Sequence, residues 1–275
     1  MVARLCEALL GVSSYAHIVN PNLEIPEASL PALQDALARL AAGEPLQYVL
    51  GYADFLGMRL RVTPAVLIPR PETEELCRRV IASYPSASAA SANPVLPRAI
   101  LDLCCGSGCI TWAMARAFPD ALVVGVDLSA EALTVARSQN VALSTPVFLQ
   151  ADVLLVPELL QTLKSVLKEH ACAGFDLLLS NPPYVRESER TQMRRNVLDF
   201  EPEMALFVPD ADPLRFYKAS AEVFASELFA PSSFAAFELN EALGESTENI
   251  FKEKMCAVQL QKDIFEKNRF LFAKK

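Results

Sequence analysis

The sequence predicts an α/β fold: a mostly parallel, seven-stranded sheet wrapped by helices, preceded by a small helical domain. Three observations predict it. From Arg98 onward, short apolar runs bounded by turn residues alternate with helix-length segments, the pattern of a doubly wound sheet. The first of these runs leads into a glycine-containing turn, Cys104-Cys105-Gly106-Ser107-Gly108, of the kind that joins a strand to a helix N-terminus. Before residue 51 apolar residues recur instead at helical spacing.

In chain order, residues 2 to about 18 and 29 to 42 are predicted helices. Leu30, Leu33, Leu37 and Leu40 form the apolar face of the second, with Ser29 as its expected cap and Gly43 as its stop. A third short helix is expected from Pro45 to Leu50, ending at Gly51. Residues 55–62 read as a hairpin, and a proline-stiffened segment, Ile68 to Glu72, leads to a helix starting near Thr73. Pro85 to Pro97, rich in Ala, Ser and Pro, reads as a loop. Strands are predicted at Ala99–Leu103, Ala121–Val126, Pro146–Leu149, Phe175–Leu179, Phe234–Leu239, Ala257–Gln261 and Arg269–Ala273, the last two as an antiparallel edge pair. Helices are predicted at Ala130–Ser138 and Glu158–Glu169. The expected domains are 1–51, helical; 52–72, hairpin and proline-rich linker; and 73–275, the α/β unit.

Composition narrows the function. At 275 residues and 52% hydrophobic, the chain can bury a large core. No apolar run reaches membrane-spanning length, and Glu7 interrupts any leader-like N-terminal stretch. A cytoplasmic protein with no membrane partner is expected. Seven cysteines at irregular spacing argue for reduced thiols. Cys104, Cys105 and Cys109 cluster, but the only histidines, His17 and His170, lack ligand spacing, so no metal is expected. The net charge is −8, and the first 75 residues carry five arginines, no lysine and nine acids. That balance disfavours a stable grip on nucleic acid.

Chemistry is concentrated at the predicted strand ends. Asp127 closes the second sheet strand, 19 residues after Gly108, where an acid can hold ribose hydroxyls. Asp152, after the third, is placed to face an adenine amino group. Ser180-Asn181-Pro182-Pro183-Tyr184 follows the fourth. Two successive prolines remove two N–H donors and fix φ, leaving the carbonyls of Asn181 and Pro182 free to accept. Asn181 adds a side-chain carbonyl and Tyr184 a flat ring, a set suited to a planar NH₂ group. A plain strand-ending turn would explain any one of these motifs; it does not explain all of them at strand ends, where doubly wound folds bind ligands. The dinucleotide pattern Gly-x-Gly-x-x-Gly is incomplete, because Cys109, Ile110 and Thr111 follow Gly108.

The combination resembles the S-adenosylmethionine-dependent methyltransferases, and Asn-Pro-Pro-Tyr resembles the motif of those that methylate planar nitrogens. Glu44-Pro45-Leu46-Gln47-Tyr48-Val49-Leu50-Gly51, then Leu67-Ile68-Pro69-Arg70-Pro71-Glu72-Thr73-Glu74, then Asn181 to Tyr184, then Phe200-Glu201-Pro202 with Ala205-Leu206 occur in that order. In that order they resemble the release-factor glutamine methyltransferases, the PrmC/HemK family, over roughly residues 1 to 250. The resemblance implies a Rossmann-like class I methyltransferase domain behind a helical substrate-recognition domain. It implies S-adenosyl-L-methionine as cofactor, giving S-adenosyl-L-homocysteine, and peptide chain release factors as protein substrates, with a monomeric enzyme expected. The methyl group would go to the side-chain amide of the glutamine in a Gly-Gly-Gln loop. By position, Asp102, Cys104, Cys105, Gly106, Ser107 and Gly108 match the methionine-binding turn. Asp127 with Leu128 matches the ribose acid, and Asp152 with Val153 the adenine side. Asn181, Pro182, Pro183 and Tyr184 match the glutamine clamp, Asn181 lying against cofactor and substrate alike.

Two departures stand out. The family usually has glycine where Cys104 stands and a small hydroxylated residue where Cys105 stands. The usual Gly-Gly turn before the fifth strand is replaced by Ala230-Pro231-Ser232-Ser233. The competing reading is a nucleic-acid amino-group methyltransferase acting on adenine or guanine, which would need a basic groove. Near the clamp only Arg186, Arg190, Arg194 and Arg195 offer one, interleaved with Glu187 and Glu189. A non-catalytic module with a decayed cofactor site is a third reading, which the intact Asn-Pro-Pro-Tyr speaks against.

Overall fold

The computed structural model describes every residue except 1, 14, 21, 23, 85–95, 255 and 256. The chain opens with four helices, α1 (Val2–Leu10), α2 (Ala16–Val19), α3 (Leu30–Ala41) and α4 (Leu46–Leu50). The helix predicted to reach about residue 18 stops at Leu10, where Gly11 turns left-handed at φ 66°. Ser29 makes no capping bond; it ends a 3-10 turn, Glu27–Ser29, that feeds α3. Gly43 and Gly51 take φ of 93° and 77° just beyond α3 and α4. Leu5, Leu33 and Ala36 form a small core here, flanked by Leu40, Leu46, Val49 and Leu50.

The hairpin pairs β1 (Tyr52–Phe55) with β2 (Met58–Arg61). Its two-residue turn has Leu56 and Gly57 both at positive φ, 49° and 71°, matching the right-handed twist of the strands. Phe55, Met58 and Leu60 bury against one face of the main sheet. The Gln139 side chain locks the hairpin in place: it accepts from the Arg61 N–H at 2.8 Å and donates to the Arg61 carbonyl at 2.9 Å.

Helix α5 (Pro71–Ala82) begins two residues before the expected start. Pro71 sits at its first position, where no N–H is needed. The loop predicted over Pro85 to Pro97 lies, through residue 95, outside the described residues. Beyond it run β3 (Ala99–Leu103), α6 (Cys109–Ala117), β4 (Leu122–Asp127), α7 (Ala130–Arg137), β5 (Val147–Gln150), α8 (Val156–Glu169) and β6 (Phe175–Ser180). Two short strands, β7 (Val185–Arg186) and β8 (Phe207–Val208), pair with each other and flank α9 (Arg195–Leu198). The chain closes with α10 (Arg215–Ala225), β9 (Phe229–Glu238), α11 (Gly244–Lys254), β10 (Ala257–Lys262) and β11 (Asn268–Lys274).

The seven-stranded sheet has the order β10-β11-β9-β6-β3-β4-β5. Strands β3, β4, β5, β6 and β9 are parallel, and β11 runs against both β9 and β10. The predicted antiparallel pair forms one edge of the sheet, with β10 outermost and β11 next to it. Strand β9 starts at Phe229, five residues before the predicted Phe234. Ala230 to Ser233, in place of the expected turn, belong to the strand and bulge where its register against β6 slips.

Every residue of β3 is buried, which a parallel strand covered on both faces requires. Leu101 and Leu103 join Leu163, Phe224, Phe237 and Phe251 on one face. Ile100, Leu177 and Leu179 join Leu76, Trp112, Met114 and Leu133 on the other. Gly108 and Gly125 serve this packing. A Cβ on Gly108 would meet Trp112 at 3.0 Å, and one on Gly125 would meet the Thr111 hydroxyl at 2.7 Å. Strand order reverses between β3 and β6, which places the ligand crevice at their carboxyl ends.

Candidate active site

A cavity of about 380 Å³ opens at those carboxyl ends, a volume within the range of small-molecule clefts. Its wall contains Cys104 to Ser107 after β3, Asp127 and Leu128 after β4, Asp152 and Val153 after β5, and Asn181 and Pro183 after β6. Four strand ends thus deliver the predicted residues to one site. Asp102, Gly108, Pro182 and Tyr184 do not line it. Asp102 lies fully buried inside β3, Gly108 faces the α6–α7 packing, Pro182 is buried, and the Tyr184 hydroxyl is tied to Glu238.

The turn after β3 is held by the acid after β4. Asp127 accepts from the Gly106 N–H at 2.8 Å with Oδ2 and from the Ser129 N–H at 2.9 Å with Oδ1. Each carboxylate oxygen has two lone pairs, so acceptor capacity remains toward the cavity. Burial raises the Asp127 pKa above its ordinary value, opposed by these backbone bonds. Cys104 adopts φ 59° although it is not glycine, a left-handed conformation that a Cβ disfavours. Burial pushes the Cys104 and Cys105 thiols well above their ordinary range and that of Cys109 up to about 12. Cys256 lies outside the described residues.

Behind the turn, Asp102 accepts from the Thr111 hydroxyl at 2.5 Å with Oδ2, while its buried Oδ1 has no partner. Burial raises its pKa to about 7.

Asn181 is oriented by a hydrogen-bond chain. Its Nδ2 donates to the Thr73 hydroxyl at 3.0 Å, and Thr73 donates in turn to Glu238 Oε2 at 2.7 Å. Tyr184 donates to Glu238 Oε1 at 2.9 Å. The side-chain amide polarity of Asn181 is thus fixed, with Oδ1 left to accept. The carbonyls of Asn181 and Pro182 take no backbone hydrogen bond among the described residues, as two consecutive prolines imply.

Two further blocks, residues 67–74 and 200–202, have no role legible in the sequence, and the structure joins them. Glu201, its side chain 1% exposed, accepts from Arg70 at 2.7 Å and from the Ile68 N–H at 3.1 Å. This ties the Ile68–Glu72 segment to the Glu201 segment, and Arg70, Pro202 and Ala205 all reach the cavity wall. Glu238 was missed altogether. The available signal was an acid at the end of the apolar run Phe234-Ala235-Ala236-Phe237.

Three of the four arginines after the clamp are engaged by acids. Arg186 pairs with Glu189, Arg195 with Asp199, and Arg190 with Glu187 and Glu203 while stacking on Phe207 at 4.1 Å. Among the described residues no helix is long and apolar enough to cross a membrane. No group of three His, Cys, Asp or Glu among them is arranged to hold a metal.

A doubly wound sheet, a turn and acid at adjacent strand ends, and an accepting Asn-Pro-Pro-Tyr define a methyltransferase of the Rossmann-like class I kind. Sequence comparison agrees: a family model described as a methyltransferase domain matches residues 100–179, and one described as the PrmC N-terminal domain matches residues 2–51. A release factor glutamine methyltransferase of Bacteroides thetaiotaomicron is 39% identical over 98% of this chain and 90% of its own. Those of Flavobacterium psychrophilum and Streptococcus pneumoniae are 34% and 33% identical, over 92% and 87% of this chain and 84% and 78% of theirs. The chain belongs to the release factor glutamine methyltransferase family.

Proposed function

We propose that this enzyme transfers a methyl group from S-adenosyl-L-methionine to the side-chain amide nitrogen of the glutamine in the Gly-Gly-Gln motif of peptide chain release factors. The observation that carries the reading is Asn181. It stands on the same cavity as the Cys104–Ser107 turn and Asp127, with its NH₂ committed to Thr73 and its carbonyl free to accept.

The residues fit the cofactor. Asp127 supplies acceptors for ribose hydroxyls, with Leu128 beside it, and Asp152 and Val153 form the adenine side. Cys104 to Ser107 present turn backbone to the methionine end, and Asp102, with its orphaned Oδ1, supports that turn from behind. When bound, the cofactor supplies a methyl group already made electrophilic by the sulfonium. The chain's own residues then face an amide nitrogen whose lone pair is delocalised and whose protons are too weakly acidic for a side chain to remove first. Their task is alignment. Asn181 Oδ1, on the cavity wall, accepts one N–H bond, orients the amide plane, and stabilises positive charge growing on nitrogen. The Pro182 carbonyl, behind the wall but without a backbone partner among the described residues, is the acceptor left for the second, and the methylated nitrogen then gives up one of its two protons to solvent. Pro183 fixes the backbone of the clamp. Tyr184, tied to Glu238 away from the cavity wall, braces it.

The helical segment 1–51 serves substrate recognition, 52–72 is the linker and 73–275 the catalytic domain. A protein substrate suits the net charge of −8 and the paired arginines better than a nucleic acid does. The enzyme is read as a cytoplasmic monomer. The test is transfer of radiolabelled methyl from the cofactor with either a release factor or RNA and DNA as acceptor. Label on the release factor alone supports the reading. Label on nucleic acid, with the release factor unlabelled, overturns it.

A further inference from the structure

Glu238 is a buried acid, 1% exposed, that does not line the cavity, yet both of its oxygens are committed to residues of the site. A hydroxyl carries a single proton. Thr73 spends its proton on Glu238, so toward Asn181 it can only accept. Asn181 must then turn its NH₂ to Thr73 and its carbonyl the other way. Reversing the relay would present an NH₂ group where a substrate amide needs an acceptor. Burial raises the Glu238 pKa above the ordinary carboxylate range, opposed by the hydrogen bonds from Thr73 and Tyr184 and by the nearby Arg269 cation; the relay itself rests on the geometry of those two hydrogen bonds.

We propose that Glu238 and Thr73 are positioning residues for methyl transfer: through one hydrogen-bond relay they set which end of the Asn181 side-chain amide faces the substrate. This rests on the reading of Asn181 as the amide clamp. It accounts for the place of Thr73 inside the Ile68–Glu74 block. The first turn of α5 delivers to Asn181 a hydroxyl whose proton is already engaged by a strand on the far side of β6.

Thr73→Val keeps the shape and removes the hydroxyl, whereas Thr73→Ser keeps the hydroxyl. With a release factor as substrate, Thr73→Val is expected to lower kcat on the order of 10–100-fold, the scale of a small misplacement of a reacting group. Cofactor Kd by calorimetry should stay within about two-fold of wild type, and Thr73→Ser should restore most of kcat. The decisive readout is a double-mutant cycle. If Thr73 acts through Asn181, adding Thr73→Val to Asn181→Ala costs no further rate, whereas independent structural damage would add. Should Thr73→Val fail to fold, Glu238→Gln, nearly the same shape, carries the same cycle with a smaller loss.

Wild-type kcat in Thr73→Val, a Thr73→Ser variant as impaired as Thr73→Val, or additive losses in the cycle would each overturn the relay. Failure of the underlying reading looks different. Asn181→Ala would then turn over like wild type, or the release factor would not be methylated at all.

Discussion

At Cys104, one of four non-glycine residues at positive φ among the described residues, backbone and side chain conflict, and two substitutions there separate the two. Its φ of 59° places an L-residue in the left-handed region, at a cost of roughly 1–2 kcal/mol that glycine does not bear. Glycine loses more unfolded-state freedom than alanine, by roughly 0.5–1 kcal/mol. Cys104→Ala and Cys104→Gly both delete the thiol and its contacts, but only glycine also removes the strain. The glycine variant should therefore be the more stable of the two by about 0.5–1 kcal/mol. That corresponds to about 1–3 °C in Tm for a chain of this size. Because Cys104 lines the cavity, both variants should bind S-adenosyl-L-methionine at least as tightly as wild type. Urea denaturation gives the stability difference and calorimetry the affinities. An alanine variant as stable as the glycine variant would refute the strain argument. A large loss of affinity in either folded variant would show that the thiol has a role of its own.

Other expectations follow from the same geometry. Asp127→Ala removes a charged acceptor at the cavity wall and should weaken cofactor binding by about 1.5–3 kcal/mol; an unchanged Kd in calorimetry would place the ribose elsewhere. Glu201→Ala leaves Arg70 and the Ile68 N–H without their partner. It should destabilise the fold by about 3–5 kcal/mol in chemical denaturation, and a loss below about 1 kcal/mol would mean that the link is not structural. Asp102 has a folded pKa raised to about 7 by burial, so the folded chain holds an extra proton between roughly pH 4 and 7. Its contribution to stability is then present at low pH and lost as pH rises through about 7. Without added cofactor, Asp102→Asn should gain on wild type in Tm across that window. A constant difference between the two melting curves from acid to neutral pH would contradict it.

The sheet strands were legible because parallel strands buried on both faces are short apolar runs, and Ala99–Leu103 is predicted and observed with the same ends. The start of β9 was not, because Ala230-Pro231-Ser232-Ser233 reads as a turn and is held in the sheet by a bulge, with Ser233 donating to the Phe175 carbonyl at 2.9 Å. Local signals also misled at Ser29, a good cap by type that lies within a 3-10 turn. At the site, the strand-end motifs announced Asn181, Asp127 and the turn. The partners that orient them were hidden, because Thr73 and Asn181 lie 108 residues apart and Thr73 and Glu238 lie 165 apart. Only the fold brings such pairs within a hydrogen bond. A second demand on Gly108 was hidden for a related reason: besides sitting in the turn, its missing side chain makes room for Trp112, Ala136 and Phe148.

The central claim is that Asn181 presents an acceptor to a glutamine amide carried by a release factor. Tandem mass spectrometry of the peptide spanning Gly-Gly-Gln, after incubating a folded release factor with S-adenosyl-L-methionine and either wild type or Asn181→Ala, tests it directly. The expected result is a single added methyl group on the side-chain nitrogen of that glutamine with wild type, and a yield lower by about 100-fold or more with Asn181→Ala. An unmodified glutamine with wild type, or equal modification by both enzymes, would contradict the account.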